Sequence, residues 1–125
     1  MPDPDIPALD EHVLRELMTS TGDDASFVRE LLDAYLADTP AQLDAMSAAL
    51  AADDAAALVR PAHTLKSSSA TVGAMRLSSV ARELEMTGRG GVLDSAARAA
   101  MDAARAEWDV TRDALMAWRD GEATQ

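Results

Sequence analysis

Apolar residues recur every three or four positions along most of this chain, which is the spacing of one face of an α-helix. A first stretch, from Leu9 to Met18, ends at the turn-forming run TSTGDD. A longer apolar seam follows Asp24, and Pro40 interrupts it. Because the seam continues unbroken past this proline, we expect one kinked helix and not two. The members of this seam are Val28, Leu32, Tyr35, Thr39, Leu43, Met46 and Leu50.

Three more helices are predicted in the second half of the chain. Asp53 and Asp54 are suitable N-caps for a third helix that runs to about Val72, and Gly73 is a suitable residue just beyond its end. A short fourth segment over Leu77–Leu84 is closed by glycines. The last segment has the narrow seam typical of helix bundles. Its members are Ala97, Met101, Ala104, Trp108, Thr111, Leu115 and Trp118.

No alternating pattern typical of a strand is found, so the predicted fold is all-α. We expect an antiparallel four-helix bundle with a short additional N-terminal helix. The bundle should occupy residues 8–120, preceded by a flexible N-terminus over residues 1–7 and followed by a tail over residues 121–125. The length of 125 residues fits this single domain.

Charge and composition narrow the possible partners. The chain has 11 basic and 22 acidic residues and no cysteine. A net charge of −11 disfavours binding to nucleic acid or to a membrane surface. No secretory signal or bilayer-spanning run is apparent, so the cytoplasm is the expected location. Because the apolar seams are used inside the bundle, we expect a monomer.

His63 is the residue with the clearest potential for chemistry. The apolar stripe of its predicted helix is formed by Leu58, Ala62, Leu65, Ser69 and Val72. At about 100° per residue, His63 points about 140° away from that stripe, so its ring should be exposed. The other histidine, His12, is interpreted as a solvated helix residue.

The neighbours of His63 suit a nucleophilic imidazole that accepts an anion such as a phosphoryl group. Residues three and four positions away include Arg60, Lys66 and Ser67, and small residues, Ala56 and Ala70, lie a further turn away. Small side chains leave room for a bulky partner, and a nearby ammonium group offsets the charge of the phosphoryl group.

The basic residues are concentrated around this histidine. Residues 55–91 carry a net charge of +3, against −14 for the rest of the chain. A positive face on an acidic body can steer an acidic, phosphate-bearing partner to one place. The basic residues of this segment are Arg60, Lys66, Arg76, Arg82 and Arg89.

Two segments resemble the histidine-containing phosphotransfer (HPt) domain family. AHTLKSSSATVGA, residues 62–74, resembles the pattern A-H-x-L-K-G-x-S-x-x-x-G, and LSSVARELEMTGRGG, residues 77–91, resembles L-x-x-x-C-x-x-L-E-x-x-G-R-x-G. The likeness extends over about residues 24–120. Ser67 stands where the family usually has glycine; its small hydroxyl is tolerable there and is a possible hydrogen-bond donor to a phosphoryl oxygen.

The resemblance implies a phosphorelay intermediate of two-component signalling. His63 would be the phosphorylated nucleophile, Lys66 would offset the phosphoryl charge and Ser67 would assist. Arg60, Arg82, Ala56 and Ala70 would contribute to binding of the partners, which are the receiver domains of a hybrid histidine kinase and a response regulator. No cofactor of its own is expected, because Mg²⁺ belongs to the receiver. No glycine-rich nucleotide loop is found, so ATP-dependent kinase activity is not expected.

Two other functions are compatible with a helical bundle. One is a phosphorylation-silent interaction module that binds receiver domains without transfer, which Ser67 would favour. The other is a metal-binding bundle, used as an oxidase or a metal store. Against the second, inward-facing Glu-x-x-His pairs are absent from the sequence, and the acidic residues are predicted to lie off the apolar seams.

Overall fold

Five α-helices and no strand make up the part of the chain that the computed structural model describes, residues 5–121. The helices are α1 (Glu11–Ser20), α2 (Ala25–Ala51), α3 (Ala55–Thr71), α4 (Met75–Gly90) and α5 (Ser95–Gly121). The all-α prediction is therefore confirmed. Most of the predicted flexible N-terminus and all of the predicted tail except Gly121 lie outside the described residues. Within residues 5–121, none of the helices combines the length and apolar character needed to cross a bilayer.

Aspartate side chains begin four of the five helices. Asp10, Asp24 and Asp54 accept hydrogen bonds from backbone N–H groups in the first turns of α1, α2 and α3, at 3.0, 3.0 and 3.1 Å. Asp94 accepts one from the N–H of Ala97 at 3.0 Å, at the start of α5. Each bond satisfies a backbone donor that has no partner inside the helix. Of the two caps predicted for α3, Asp54 is the one used.

The long second helix runs through Pro40 without a break, as the continuous seam predicts. Its predicted seam residues are all buried, and so are those of α5. The four longer helices contact one another in a closed ring, in which α3 packs on α2 and α4, and α5 packs on α4 and α2. The core therefore lies along the centre of this ring, and α1 packs against α2.

The turn between α3 and α4 also holds the segment before α1. Gly73 has a φ of +82°, which a residue with a side chain rarely adopts. Its carbonyl oxygen accepts a hydrogen bond of 2.7 Å from the N–H of Asp10. A Cβ atom at Gly73 would lie 2.6 Å from the carbonyl oxygen of Asp10. The glycine predicted to follow α3 thus also permits the close approach of the N-terminal segment.

Helices α3 and α4 approach each other very closely, and this contact positions the site described below. Gly88 of α4 is buried, and a Cβ atom there would lie 2.9 Å from the carbonyl oxygen of Ala55 and 3.0 Å from Cγ2 of Val59. Further along the contact, the hydroxyl of Ser78 donates a 2.9 Å hydrogen bond to the carbonyl oxygen of Lys66. The two helices are therefore held at a separation that leaves no room for a side chain at position 88.

Candidate functional site

The ring of His63 projects from α3 into solvent. Its side chain is 54% exposed, and the five residues of the predicted apolar stripe on the opposite side of α3 are all buried. The prediction of an outward-facing histidine on this helix is therefore confirmed. The other histidine, His12, is exposed on α1, where its Nε2 atom lies 3.0 Å from Glu16.

A buried carboxylate on α4 holds one side of the His63 ring. Oε2 of Glu85 lies 3.0 Å from Nδ1 of His63. An ionised carboxylate only accepts hydrogen bonds, so Nδ1 carries the proton and donates it to Glu85. The lone pair of the neutral ring is then on Nε2. Glu85 therefore orients the ring so that Nε2, the nucleophilic nitrogen, makes no hydrogen bond to the carboxylate.

Two cations keep the Glu85 carboxylate ionised. The ammonium of Lys66 lies 2.6 Å from Oε1, and the guanidinium of Arg89 donates to Oε2 through Nη2 at 2.8 Å and Nε at 3.2 Å. The hydrogen bond from Lys66, followed by that from Arg89, lowers the pKa of Glu85 to about 2, against the opposing effect of burial. Near neutral pH this group is therefore a hydrogen-bond acceptor and not a proton acceptor.

Glu85 corrects the expectation that the acidic residues lie off the buried faces. It is one of the two acidic residues in the basic segment 55–91, and its side chain is almost completely buried. No site role was predicted for Glu85 or Arg89, although the family pattern over residues 77–91 has its glutamate and its arginine at these positions. Their spacing of four residues on one helix is a visible signal of an ion pair. The contact with His63 depends on how α4 is rotated against α3, which helical periodicity does not reveal.

The other predicted site residues surround the ring at different distances along the two helices. Ser67 is exposed on α3, one turn after His63, and Ala56 and Ala70 are exposed two turns before and after it. Arg60 is exposed one turn before His63, and Arg82 is exposed on α4, three residues before Glu85. Lys66 differs from the others, because it is half-buried and its ammonium group already has a carboxylate partner.

An apolar groove opens beside the histidine between α2 and α3. It encloses about 290 Å³, and its walls include Leu31, Tyr35, Thr64 and Ser68. Thr64 directly follows His63 on α3, so the groove opens at the same level of the helix as the histidine. Phe27, one turn before Leu31 on α2, is 48% exposed. A partner that reaches His63 can therefore also cover apolar surface on α2.

No metal site is evident in the described part of the chain. Residues 5–121 contain no group of three or more histidine, aspartate or glutamate side chains placed to hold a metal ion. The carboxylate nearest His63 is fully engaged by Lys66, Arg89 and the ring itself. The groups that the structure places at this site are the imidazole of His63, the carboxylate of Glu85 and the two cations bound to it.

Comparisons with known proteins point to one domain family. The family model for the Hpt domain matches residues 30–119. The crystal structure of histidine-containing phosphotransfer protein B (HptB) from Pseudomonas aeruginosa PAO1 matches with a TM-score of 0.82 and 33% sequence identity. That match covers 91% of this chain and 96% of the other. A search of curated proteins gave no match.

Proposed function

Because the chain belongs to the Hpt domain family, we propose that it is a histidine phosphotransfer protein of a two-component phosphorelay. It shuttles a phosphoryl group between aspartates of receiver domains through His63. The observation that carries this proposal is the exposed ring whose Nδ1 atom is held by the buried Glu85 at 3.0 Å. The partners are the receiver domains of a hybrid histidine kinase and a response regulator, and the protein acts as a cytoplasmic monomer.

The fixed tautomer accounts for transfer in both directions. Nε2 of His63 attacks the phosphorus of a receiver phospho-aspartate, the bond between phosphorus and the aspartyl oxygen breaks, and the aspartate leaves as a carboxylate. The ring becomes an imidazolium whose Nδ1–H points at an ionised carboxylate, which stabilises its positive charge. In onward transfer the second receiver's aspartate attacks phosphorus, the N–P bond breaks and the neutral ring returns. Mg²⁺ is supplied by the receiver.

Lys66 and Ser67 act on the phosphoryl group itself. Both residues follow His63 by about one helical turn, so they lie on the same side of α3 as the ring. The ammonium of Lys66 offsets phosphoryl charge, and the hydroxyl of Ser67 donates a hydrogen bond to a phosphoryl oxygen. Arg76, by contrast, lies 3.5 Å from Glu107 of α5 and has no part in the site.

Receiver binding uses charge together with apolar surface. Arg60 and Arg82 provide exposed positive charge near His63, which complements the acidic phosphorylation site of a receiver. The small side chains of Ala56 and Ala70 leave the approach to the ring open. The apolar groove between α2 and α3, extended by Phe27, receives the apolar part of the receiver surface.

The arrangement of the helices suits this role. We propose that α2–α5 form an antiparallel four-helix bundle to which α1 is added, because their ring of contacts is joined by loops of only a few residues. Short loops favour antiparallel neighbours, and a rigid bundle holds the Glu85 carboxylate in place under the ring.

The two histidines of the chain allow a matched test. The protein is incubated with phosphorylated receiver domains, and the label on it is tested for the acid lability and alkali stability of phosphohistidine. We expect His12→Gln to be labelled like the wild type and His63→Gln to remain unlabelled. Equal labelling of His63→Gln would refute the assignment of the site. Receiver binding without any labelling of the wild type would instead indicate the phosphorylation-silent module.

A further inference from the structure

The Glu85 cluster contains one more cation than its carboxylate requires. One carboxylate is bound by two permanent cations, Lys66 and Arg89, and by the ring of His63. The cluster therefore has a surplus positive charge before any phosphoryl group arrives. The two cations are divided between the oxygens, since Lys66 binds Oε1 whereas Arg89 binds Oε2, the oxygen that also accepts from Nδ1 of His63.

Loading of the ring changes this charge balance. A phosphoryl group adds roughly two negative charges at neutral pH, on the nitrogen opposite the one that Glu85 holds. Lys66 is the cation on the same helix as the ring, three residues after it. Its ammonium is nevertheless bound to Glu85 at 2.6 Å in the unphosphorylated protein. An ammonium group has three N–H donors, so Lys66 can turn one or more of them from Glu85 to a phosphoryl oxygen.

We propose that Arg89 is a positioning residue that holds Glu85 in the loaded state and so allows Lys66 to move from Glu85 to the phosphoryl group. This inference rests on the proposed function and assigns a role to a residue that does not touch the phosphoryl group. If Arg89 were absent, departure of Lys66 would leave the buried carboxylate with the imidazolium of the loaded ring as its last partner, and a buried carboxylate that loses both of its permanent cations is disfavoured.

The chemistry of the two cations decides which one moves. Arg89 lies one turn after Glu85 on the same helix and binds Oε2 through two nitrogens of its planar guanidinium. Such a forked contact is preorganised. Lys66 binds through a single ammonium at the end of a flexible four-carbon chain, which can rotate to a new partner without losing a fixed geometry. The lysine is therefore the exchangeable cation and the arginine the resident one.

The inference is tested with a small-molecule donor, so that it does not depend on any receiver. Phosphoramidate loads the ring when Nε2 attacks its phosphorus and the P–N bond to the ammonium group breaks, which releases ammonia. The variants are Arg89→Gln, Arg89→Lys, Lys66→Met and the double variant Lys66→Met with Arg89→Gln. Arg112→Gln removes an equal charge from an ion pair confined to α5 and serves as the control. The readouts are the loading rate and the nitrogen NMR signals of Lys66 and His63.

In the wild type, the Lys66 ammonium signal should shift on loading. In Arg89→Gln it should stay unchanged, and loading should slow roughly tenfold, the factor expected for loss of one charge-assisted hydrogen bond. Arg89→Lys should load faster than Arg89→Gln but more slowly than the wild type, and Arg112→Gln should load at the wild-type rate. The ring nitrogens of His63 should still report a proton on Nδ1 in Arg89→Gln, because Lys66 then remains on Glu85.

The double variant shows whether Arg89 acts through Lys66. We expect the slowing of loading in the double variant to differ from the product of the two single effects, since coupled residues are not additive. Multiplicative effects of the two substitutions, or an unchanged Lys66 signal in the loaded wild type, would overturn the inference. Normal loading by phosphoramidate without transfer from receivers would refute the proposed function and leave this inference standing.

Discussion

Replacement of Gly88 by alanine tests the close contact between α3 and α4. The added Cβ would lie 2.9 Å from the carbonyl oxygen of Ala55, 3.0 Å from Cγ2 of Val59 and 3.4 Å from Cβ of Leu58. The valine methyl group can rotate, but the carbonyl oxygen belongs to the backbone of α3. Relief of the shortest contact therefore requires that one helix moves away from the other.

Two opposing terms set the size of the effect. Alanine in place of glycine inside a helix stabilises it by about 0.8–1 kcal/mol. Overpacking of a tightly packed contact costs about 1–3 kcal/mol. Gly90, two residues further along α4, is the matched control, because a Cβ there would have no atom within 4 Å. Gly88→Ala should therefore be about 1–3 kcal/mol less stable than Gly90→Ala, the difference being the cost of overpacking.

The free energy of unfolding is measured by urea denaturation, followed by circular dichroism. Gly88→Ala should also transfer phosphate more slowly than Gly90→Ala, because position 88 lies between Glu85 and Arg89 and a displaced α4 carries both away from His63. If Gly88→Ala proves as stable as Gly90→Ala or more so, α3 and α4 do not pack closely enough at position 88 to exclude a side chain, and the prediction is refuted.

Three further predictions concern the pH dependence of stability and a buried hydroxyl. Lys66 and Arg89 lower the pKa of Glu85 from 4.5 to about 2, so the ionised carboxylate stabilises the folded state above pH 4.5 and this stabilisation is lost as the pH falls towards 2. Glu85→Gln should therefore lose less stability than the wild type between pH 4.5 and 2. An equal loss for both proteins in urea denaturation would contradict the pairing of Glu85 with the two cations. Burial raises the pKa of Tyr35, the only tyrosine, to about 12, so the stability of the folded protein should fall as the pH rises from 10 to 12. An absorbance titration of the folded protein with a midpoint near pH 10 would contradict this burial. Tyr35→Phe should cost about 1–2 kcal/mol in urea denaturation, because it removes the 2.7 Å hydrogen bond to the buried Ser69, and an unchanged stability would show that this bond contributes little.

Much of the fold could be predicted because each helix has one continuous buried face. The seam from Val28 to Leu50 persists across Pro40, and the structure has a single helix there. A proline lacks one N–H group and disfavours the turn before it, yet the burial of Thr39 and Leu43 on either side holds the helix in one piece. The exposure of His63 followed from the same geometry, since a residue opposite a buried stripe must face solvent unless another element covers it.

The immediate surroundings of His63 were less predictable, because they depend on two helices at once. Periodicity gives the faces of α3 and α4 separately, but it gives neither their separation nor their relative rotation. Lys66 was therefore expected only to offset phosphoryl charge, and the bond between its ammonium and Glu85 was not anticipated. The same limitation hid the contact between Glu85 and the ring, which joins residues 22 positions apart in the chain.

A glycine on one face of α4 connects the packing of the bundle with the chemistry of the site. Gly88 lies three residues after Glu85, so both point towards α3. The missing side chain at Gly88 lets α4 approach the backbone at Ala55, and the carboxylate one turn earlier then reaches Nδ1 of His63 at 3.0 Å. A larger residue at position 88 would hold the helices apart at the point where Glu85 must span the gap. The glycine therefore supports the hydrogen bond that sets the ring's tautomer, although it is not itself part of that bond.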